Sequence, residues 1–311
     1  MRLAVIDCGT NTFNILIVEC IEQKFNKLFN TRSAVKLGEF AINQGFIAEV
    51  PFQRGIQTLI EFNEIIKSYK VDHALVYATS AIRDAANGKD FVKLVKKQTG
   101  LQVQTIDGEK EAELIYYGCR EAACLEDTVS LIMDIGGGST EFILADKKNI
   151  FWKKSYNLGA SRLLQKFNPG DPIQKEEANN IINYLNAETT ELLDAIKKHT
   201  PIRLIGSSGA FDSVIEMIHG ELNGEELLEE KCCYDVDVMN YKKISELVIS
   251  SNLTERKKIK GLVPMRFDMI VISCLLINFI LMNIPLTKFR VSTYSLKEGA
   301  LFDYLNKLKN K

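Results

Sequence analysis

This sequence of 311 residues lacks an excess of either charge and lacks clustered metal-binding side chains. Lysine and arginine total 39, while aspartate and glutamate total 40. No overall field therefore attracts nucleic acid or a membrane, and a polyanionic substrate would need a local cluster of basic groups and amides. The three histidines, His73, His199 and His219, lie far apart in the chain. Their spacing excludes the usual zinc-ligand patterns.

Cysteine motifs and long apolar runs are also missing. The seven cysteines are odd in number and include no C-x-x-C pair. We therefore expect reduced thiols in a cytoplasmic protein and interpret the adjacent Cys232 and Cys233 as incidental. The longest apolar run, 269–284, is shorter than the roughly 20 residues of a spanning helix and contains two asparagines. It predicts a buried helix. Met1 leads directly into a strand, so no secretory signal is expected.

The composition is that of a soluble globular protein. Apolar residues make up 46% of the chain and charged residues 25%. A chain of this length predicts two domains of ordinary size.

The stretch LIMDIGGGSTEFIL, residues 131–144, predicts a β-hairpin around a glycine turn. Without Cβ atoms, glycines let backbone N–H groups close on an anion. The turn is flanked by carboxylates, which repel phosphate oxygens unless a hard cation such as Mg²⁺ lies between them. Taken alone, the turn fits equally a metal–phosphate site and a glycine hairpin with solvated acids. Its polar and glycine residues are Asp134, Gly136, Gly137, Gly138, Ser139 and Glu141.

The N-terminal stretch from Ala4 to Glu19 repeats this pattern. Without gaps, three pairs of residues match at a distance of 127 positions: Asp7 with Asp134, Gly9 with Gly136, and Thr12 with Ser139. This distance is too long for a solenoid repeat and indicates a duplicated domain. Two such hairpins facing across a cleft resemble the phosphate-binding arrangement of the superfamily that includes actin, sugar kinases and heat-shock ATPases. The expected fold is therefore α/β, with two actin-like, ribonuclease H-like domains around a central cleft.

Two segments between the hairpins carry further candidate residues. A strand over His73–Tyr77 is followed by TSAIRD, which places Arg83 where a guanidinium could reach phosphate. The acidic segment DGEKEAE opens a helix, and the helix dipole explains most of its carboxylates. One of them could take a proton from an attacking water. The residues alone do not choose among Glu109, Glu111 and Glu113.

The second half carries an acidic run at Glu221–Glu230, which predicts a solvated helix edge, and a basic run at Thr254–Lys260. The basic run is a candidate lining for a polyphosphate path, although charge runs are usually solvated faces. A last strand over Val291–Ser295 and a final helix over Lys297–Lys309 are predicted.

Seven motifs in order make the chain similar to the exopolyphosphatase/guanosine pentaphosphate phosphatase family. They are DCGTNTFN, TSAIRDAAN, DGEKEAELIYYG, DIGGGSTE, LGASRL, IGSSGA and SLKEG. The resemblance implies that Glu111 is the catalytic base and Arg83 a phosphate-binding arginine. It also implies two phosphate loops, formed by Asp7, Thr10 and Asn11 and by Gly136, Gly137, Gly138 and Ser139. Asp134 and Glu141, with Asp7, are the implied ligands of Mg²⁺ or another divalent cation, and K⁺ is a further candidate ion.

Two departures from the family pattern concern the motifs near the cleft. Lys297 stands where arginine is usual, which keeps the charge but loses the bidentate fork. Ala210 stands where threonine is usual, which removes a hydroxyl. A further metal-binding module of longer members has no counterpart here, so the short form is expected. Its domains would cover 1–120 plus 296–311 and 121–295.

The expected function is release of terminal orthophosphate from linear polyphosphate. Three alternatives stay open from the sequence: a guanosine pentaphosphate (pppGpp) 5′-phosphohydrolase, an ATP-dependent kinase of the same superfamily, and a non-catalytic sensor of such polyanions. The expected partner is polyphosphate or pppGpp as substrate, without nucleic acid or membrane, and a homodimer is left open.

Overall fold

The first part of the chain forms a mixed sheet of aliphatic strands. The computed structural model describes residues 1–21, 24–224, 231–286 and 288–309. The strands of this sheet are β1 (Arg2–Cys8), β2 (Phe13–Ile21), β3 (Lys24–Ser33), β4 (His73–Ala78) and β5 (Val103–Thr105). Their order is β3-β2-β1-β4-β5. The first three strands are antiparallel, and β4 and β5 run parallel to β1.

The second sheet repeats this arrangement. Its strands are β6 (Ser130–Ile135), β7 (Thr140–Ala145), β8 (Ile150–Tyr156), β9 (Arg203–Ser207), β10 (Cys233–Val236) and β11 (Lys288–Ser292). The order from the β8 edge is β8-β7-β6-β9-β11, with β10 added at the far edge. Strands β6 to β8 are antiparallel, and β9 and β11 run parallel to β6. The shared order confirms the predicted α/β fold with two actin-like sheets.

The helices cover both sheets and fill the space between them. They are α1 (Glu49–Ser68), α2 (Ser80–Arg83), α3 (Gly88–Thr99), α4 (Gly108–Glu121), α5 (Ala160–Phe167), α6 (Lys175–Glu188), α7 (Thr190–His199), α8 (Gly209–Met217), α9 (Val238–Ser250), α10 (Leu253–Arg256), α11 (Ile270–Asn283) and α12 (Leu296–Lys309). The apolar α11 is buried along most of its length, as predicted. Across the described parts of the chain, no helix has the length and apolar character needed to cross a membrane.

Helices α4 and α12 pack against each other and form a common core with both sheets. Leu114 and Ile115 of α4 and Leu301 of α12 are buried together with Val5 of β1 and Ile132 of β6. A Cβ on Gly118 of α4 would overlap the backbone of Ser295, directly before α12, and one on Gly299 of α12 would overlap the backbone of Leu114 in α4. Glu111 and Ile115 of α4 and residues 296–298 at the start of α12 line the cleft. The domain boundaries proposed from the sequence stay predictions.

Several expectations need correction. The expectation that all thiols are reduced is wrong for Cys124 and Cys233, which form a disulfide with Cα atoms 5.6 Å apart. The last strand is Lys288–Ser292, not Val291–Ser295, because it pairs with β9 along that register. Strand β10 and helix α9 were not predicted. The acidic run is π-helical up to Asn223, and its residues 225–230 lie outside the described part of the chain.

Candidate active site

The second glycine hairpin is held by the start of α5, which turns its amides toward the cleft. Backbone N–H groups near this helix terminus donate to three successive carbonyls: Ala160 to Gly136 at 2.9 Å, Ser161 to Gly137 at 2.9 Å, and Gly159 to Gly138 at 3.3 Å. In a trans peptide the C=O and the following N–H point in opposite directions. The N–H groups of Gly137, Gly138 and Ser139 therefore face away from α5, on the side that lines the cleft.

The first hairpin is built in the same way. The carbonyl of Thr10 accepts from Gly38 N at 3.1 Å, and that of Asn11 accepts from Lys36 N at 2.8 Å. The N–H groups of Asn11 and Thr12 consequently face away from the 36–38 segment. Both hairpins also close with equivalent turn bonds: Gly9 N to Thr12 O at 3.1 Å and Gly136 N to Ser139 O at 3.0 Å. The sequence repeat is thus a repeat of anion-binding geometry.

The two hairpins lie against each other. A Cβ added to Gly138 would lie 2.7 Å from Thr10 Oγ1, and one added to Gly137 would overlap the side chain of Asn11. The Ser161 hydroxyl donates to Asn11 Oδ1 at 2.7 Å. Residues of both turns line one cleft of about 1100 Å³. The hairpins predicted from the repeat therefore share one groove.

Asp7, Asp134 and Glu141 also line this cleft. Asp7 and Asp134 occupy matching positions near the ends of β1 and β6, paired in register with Asn14 and Glu141, respectively. Burial raises the pKa of Asp7 to about 6. Burial, and then the charge of Asp134, raise the pKa of Glu141 to about 7. A cation placed near these oxygens would relieve both effects.

The donor set fits a cation that also binds phosphate. Among the described residues, no group of three His, Cys, Asp or Glu side chains is gathered closely enough to hold a metal ion alone. Mg²⁺ usually takes one or two carboxylates and completes its shell with waters and substrate phosphates. Asp134, with Glu141 or Asp7, would supply such a partial set beside the turn amides.

Glu111 lies in the first turn of α4, is 7% exposed, and faces the cleft. Its Oε2 atom lies 2.8 Å from Arg83 Nη1. Burial and the nearby Glu141 raise the pKa of Glu111 well above its ordinary value, although the Arg83 charge acts in the opposite direction. Arg83 itself is held by Glu111 and Asp84 and is not among the residues that line the cleft. Its role as a phosphate ligand stays a prediction.

The profile of the Ppx/GppA phosphatase family matches residues 16–308. The chain belongs to this family. The family assignment makes the protein a hydrolase, as predicted from the seven motifs.

Individual relatives agree with this membership. A crystal structure of an exopolyphosphatase from Cytophaga hutchinsonii is 37% identical, with a TM-score of 0.96, and the match covers 99% of this chain and 98% of that one. Exopolyphosphatase 1 of Mycobacterium tuberculosis is 24% identical over 308 residues, which is 98% of this chain and 89% of that protein. A bifunctional 3-dehydroquinate synthase/phosphatase of Fusobacterium nucleatum is 29% identical over 89% of this chain, which spans 43% of that protein's length.

The solved structure of a Ppx/GppA family member from Aquifex aeolicus shares the fold. It is 24% identical with a TM-score of 0.81, and the match covers 99% of this chain and 98% of that one. Two sheets of equivalent topology around a cleft are thus the common architecture.

In the present chain the cleft also contains basic residues that lie outside the seven motifs. Arg32 and Arg266 line it together with Lys297. Burial lowers the pKa of Lys297, but the ion pair with Glu298 at 3.0 Å and the charges of Asp212 and Asp7 together leave the pKa raised. The lysine that replaces the usual arginine therefore keeps its charge inside the cleft. Lys297 belongs to the SLKEG motif, whereas Arg32 and Arg266 lie in none of the seven motifs.

The basic run Thr254–Lys260 does not line the cleft, and its part in a polyphosphate path stays a prediction. Arg256 is 5% exposed and pairs with Asp171 at 2.5 Å. It also donates to the carbonyls of Ser251 and Phe267. None of the residues of this run is among those that line the cleft. Arg256 therefore connects the segments that carry Asp171, Ser251 and Phe267.

We predict that the free energy of unfolding of the metal-free protein falls as pH rises from about 5 to about 7. The carboxyl groups of Asp7 and Glu141 have raised pKa values of about 6 and about 7. As pH rises, they therefore stay protonated to a higher pH in the folded state than in the unfolded state. Each such group contributes stability that is present at low pH and is lost, at about 1.4 kcal/mol per pH unit, as pH passes through this window.

Urea unfolding at several pH values, with and without Mg²⁺, measures this effect. Glu141→Gln should show a smaller decrease with pH than the wild type, and Mg²⁺ should flatten the wild-type curve. Identical pH dependence in the wild type and Glu141→Gln would contradict the assigned shift.

Proposed function

We propose that this chain is an exopolyphosphatase that releases terminal orthophosphate from linear polyphosphate. The observation that carries the proposal is the pair of amide-lined hairpins that share one groove beside the buried carboxylate of Glu111. The similar proteins from Cytophaga hutchinsonii and Mycobacterium tuberculosis are named exopolyphosphatases, which supports the choice of substrate.

The hairpins bind and orient the end of the phosphate chain. The N–H groups of Asn11, Thr12, Gly137, Gly138 and Ser139 donate to oxygens of the terminal phosphates. Preorganised donors of this kind stabilise charge that develops in the transition state, which is the main contribution to phosphoryl transfer. The cations Arg32, Arg266 and Lys297 offset the charge of the remaining chain in the cleft.

Glu111 accepts a proton from the attacking water. The water oxygen forms a bond to the terminal phosphorus, and the bond from that phosphorus to the bridging oxygen breaks. The shortened polyphosphate leaves with the electron pair of the broken bond. Arg83 keeps the Glu111 carboxylate aimed at the water and favours its ionised form.

Asp134, with Glu141 or Asp7, would hold a divalent cation such as Mg²⁺, and the cation would offset the charge of the phosphates. The carboxylates of Asp134 and Glu141 are buried, that of Asp7 is partly buried, and all three line the cleft beside the turn amides, where they would repel phosphate oxygens in the absence of a cation.

Orthophosphate release from long-chain polyphosphate and from pppGpp by the purified protein tests the proposal. We expect release from polyphosphate with a higher kcat/KM than from pppGpp, and loss of activity with EDTA that Mg²⁺ restores. A higher kcat/KM on pppGpp would assign the nucleotide as substrate. Binding of polyphosphate without any release would assign a sensor.

A further inference from the structure

The guanidinium of Arg162 connects the glycine turn of the second sheet to the segment that carries Arg83. Arg162 Nε donates to Gly138 O at 2.8 Å. Its Nη1 donates to Ile42 O at 3.3 Å, and its Nη2 lies 3.3 Å from Asp84 Oδ2. The side chain starts on α5 and is 15% exposed. One half-buried arginine therefore contacts both sides of the cleft.

The contacts continue from Arg162 to the candidate base. Asp84 Oδ1 lies 3.1 Å from Arg83 Nε, and Arg83 Nη1 lies 2.8 Å from Glu111 Oε2. Ser80 Oγ donates to the other oxygen of Asp84 at 2.9 Å. Arginine, aspartate, arginine and glutamate thus alternate in charge along one continuous path. Such a path fixes the orientation of each member through its neighbours.

The same guanidinium orients the Gly138–Ser139 peptide. Because Gly138 O points to Arg162, the N–H of Ser139 points in the opposite direction, toward the cleft. Gly138 O accepts one further bond, from Gly159 N at 3.3 Å, which is the only backbone donor to it among the turn and loop hydrogen bonds of the described residues. Glycine has no Cβ to restrict rotation of the peptide. Without Arg162 the orientation of this amide would depend on one long hydrogen bond.

We propose that Arg162 is a positioning residue for phosphoanhydride hydrolysis. It aims the Ser139 amide at the bound phosphate and, through Asp84 and Arg83, holds the Glu111 carboxylate in place. The inference rests on the proposed function, and Arg162 itself does not touch the reacting atoms. Only the guanidinium supplies Nε, Nη1 and Nη2 donors in three fixed directions, which an ammonium group does not reproduce.

Steady-state kinetics on long-chain polyphosphate test the proposal with Arg162→Met, Arg162→Lys, Asp84→Asn and the double variant Asp84→Asn/Arg162→Met. Arg162→Met should lower kcat by roughly 100-fold, the cost of misplacing reacting groups by about 1 Å, with a much smaller change in KM. Arg162→Lys should recover part of the loss. The double variant should be no slower than Arg162→Met, because both changes interrupt the same path.

Asn43→Ala is the matched control. It removes the hydrogen bond from Asn43 Nδ2 to the backbone carbonyl of Arg162, at 3.0 Å, and leaves the Gly138 and Asp84 contacts intact. We expect wild-type kcat for this variant. Thermal unfolding of each protein separates a change in kcat from a change in the folded fraction.

Wild-type kcat in Arg162→Met, or multiplicative losses in the double variant, would overturn the inference and leave the proposed function intact. If Arg162→Met does not fold, Arg162→Lys and Asp84→Asn decide, and wild-type kcat in both overturns the inference. Absence of orthophosphate release by the wild type in the same assay would overturn the proposed function instead, and the inference with it.

Discussion

Glu111→Gln should reduce orthophosphate release from polyphosphate by roughly 10²- to 10⁴-fold, the usual contribution of a general base. The amide of glutamine has nearly the same shape as the carboxylate but does not accept a proton from water. The amides proposed to bind phosphate lie on the hairpins and not on α4, so polyphosphate binding should be retained. Single-turnover release and equilibrium binding of polyphosphate measure the two quantities separately.

Glu109→Gln is the control for this experiment. Glu109 lies in the same first turn of α4 but is exposed and is not among the residues that line the cleft. Its substitution should leave the rate unchanged. Turnover at the wild-type rate in Glu111→Gln would remove Glu111 from the mechanism, whereas equal losses in both variants would indicate a general effect of charge on α4.

Gly138→Ala should lower kcat/KM for polyphosphate by roughly 100-fold. The added Cβ would lie 2.7 Å from Thr10 Oγ1 and would also overlap the hydroxyl of Ser80, so the two hairpins would have to move apart. A displacement of about 1 Å in groups that position a substrate is enough for a loss of this size. Initial rates over a range of polyphosphate concentrations give kcat/KM directly.

Gly170→Ala is the corresponding control, because its Cβ would meet no atom closer than 3.4 Å. This variant should keep wild-type kcat/KM and a wild-type melting temperature. Retention of wild-type kcat/KM in Gly138→Ala would show that the contact between the hairpins is not needed for catalysis.

The hairpins could be predicted from the sequence because their chemistry is local. A tight turn that exposes amides needs glycine at fixed positions, and the equivalents Gly9 and Gly136 show this in both copies. The repeat extends by one further pair of positions. Asn14 and Glu141 are also 127 positions apart, and each pairs with the aspartate of its own hairpin. This fourth pair follows from the same spacing in the sequence.

The other features of the site depend on contacts between distant parts of the chain. Arg32 and Arg266 meet in the cleft only because the two sheets face each other. The ion pair of Arg83 with Glu111 requires the pairing of β4 with β5, because Arg83 follows β4 and Glu111 follows β5 in the chain. The disulfide joins residues separated by 109 positions. No local pattern specifies such pairs, since they follow from the packing of complete elements.

A crystal structure of Glu111→Gln with tripolyphosphate and Mg²⁺ tests most directly whether both hairpins bind one phosphate chain. The account predicts phosphate oxygens within hydrogen-bonding distance of Asn11 or Thr12 N–H and, in the same complex, of the Gly137–Ser139 amides. Tripolyphosphate bound by the amides of one hairpin alone, or outside the groove between them, would contradict it.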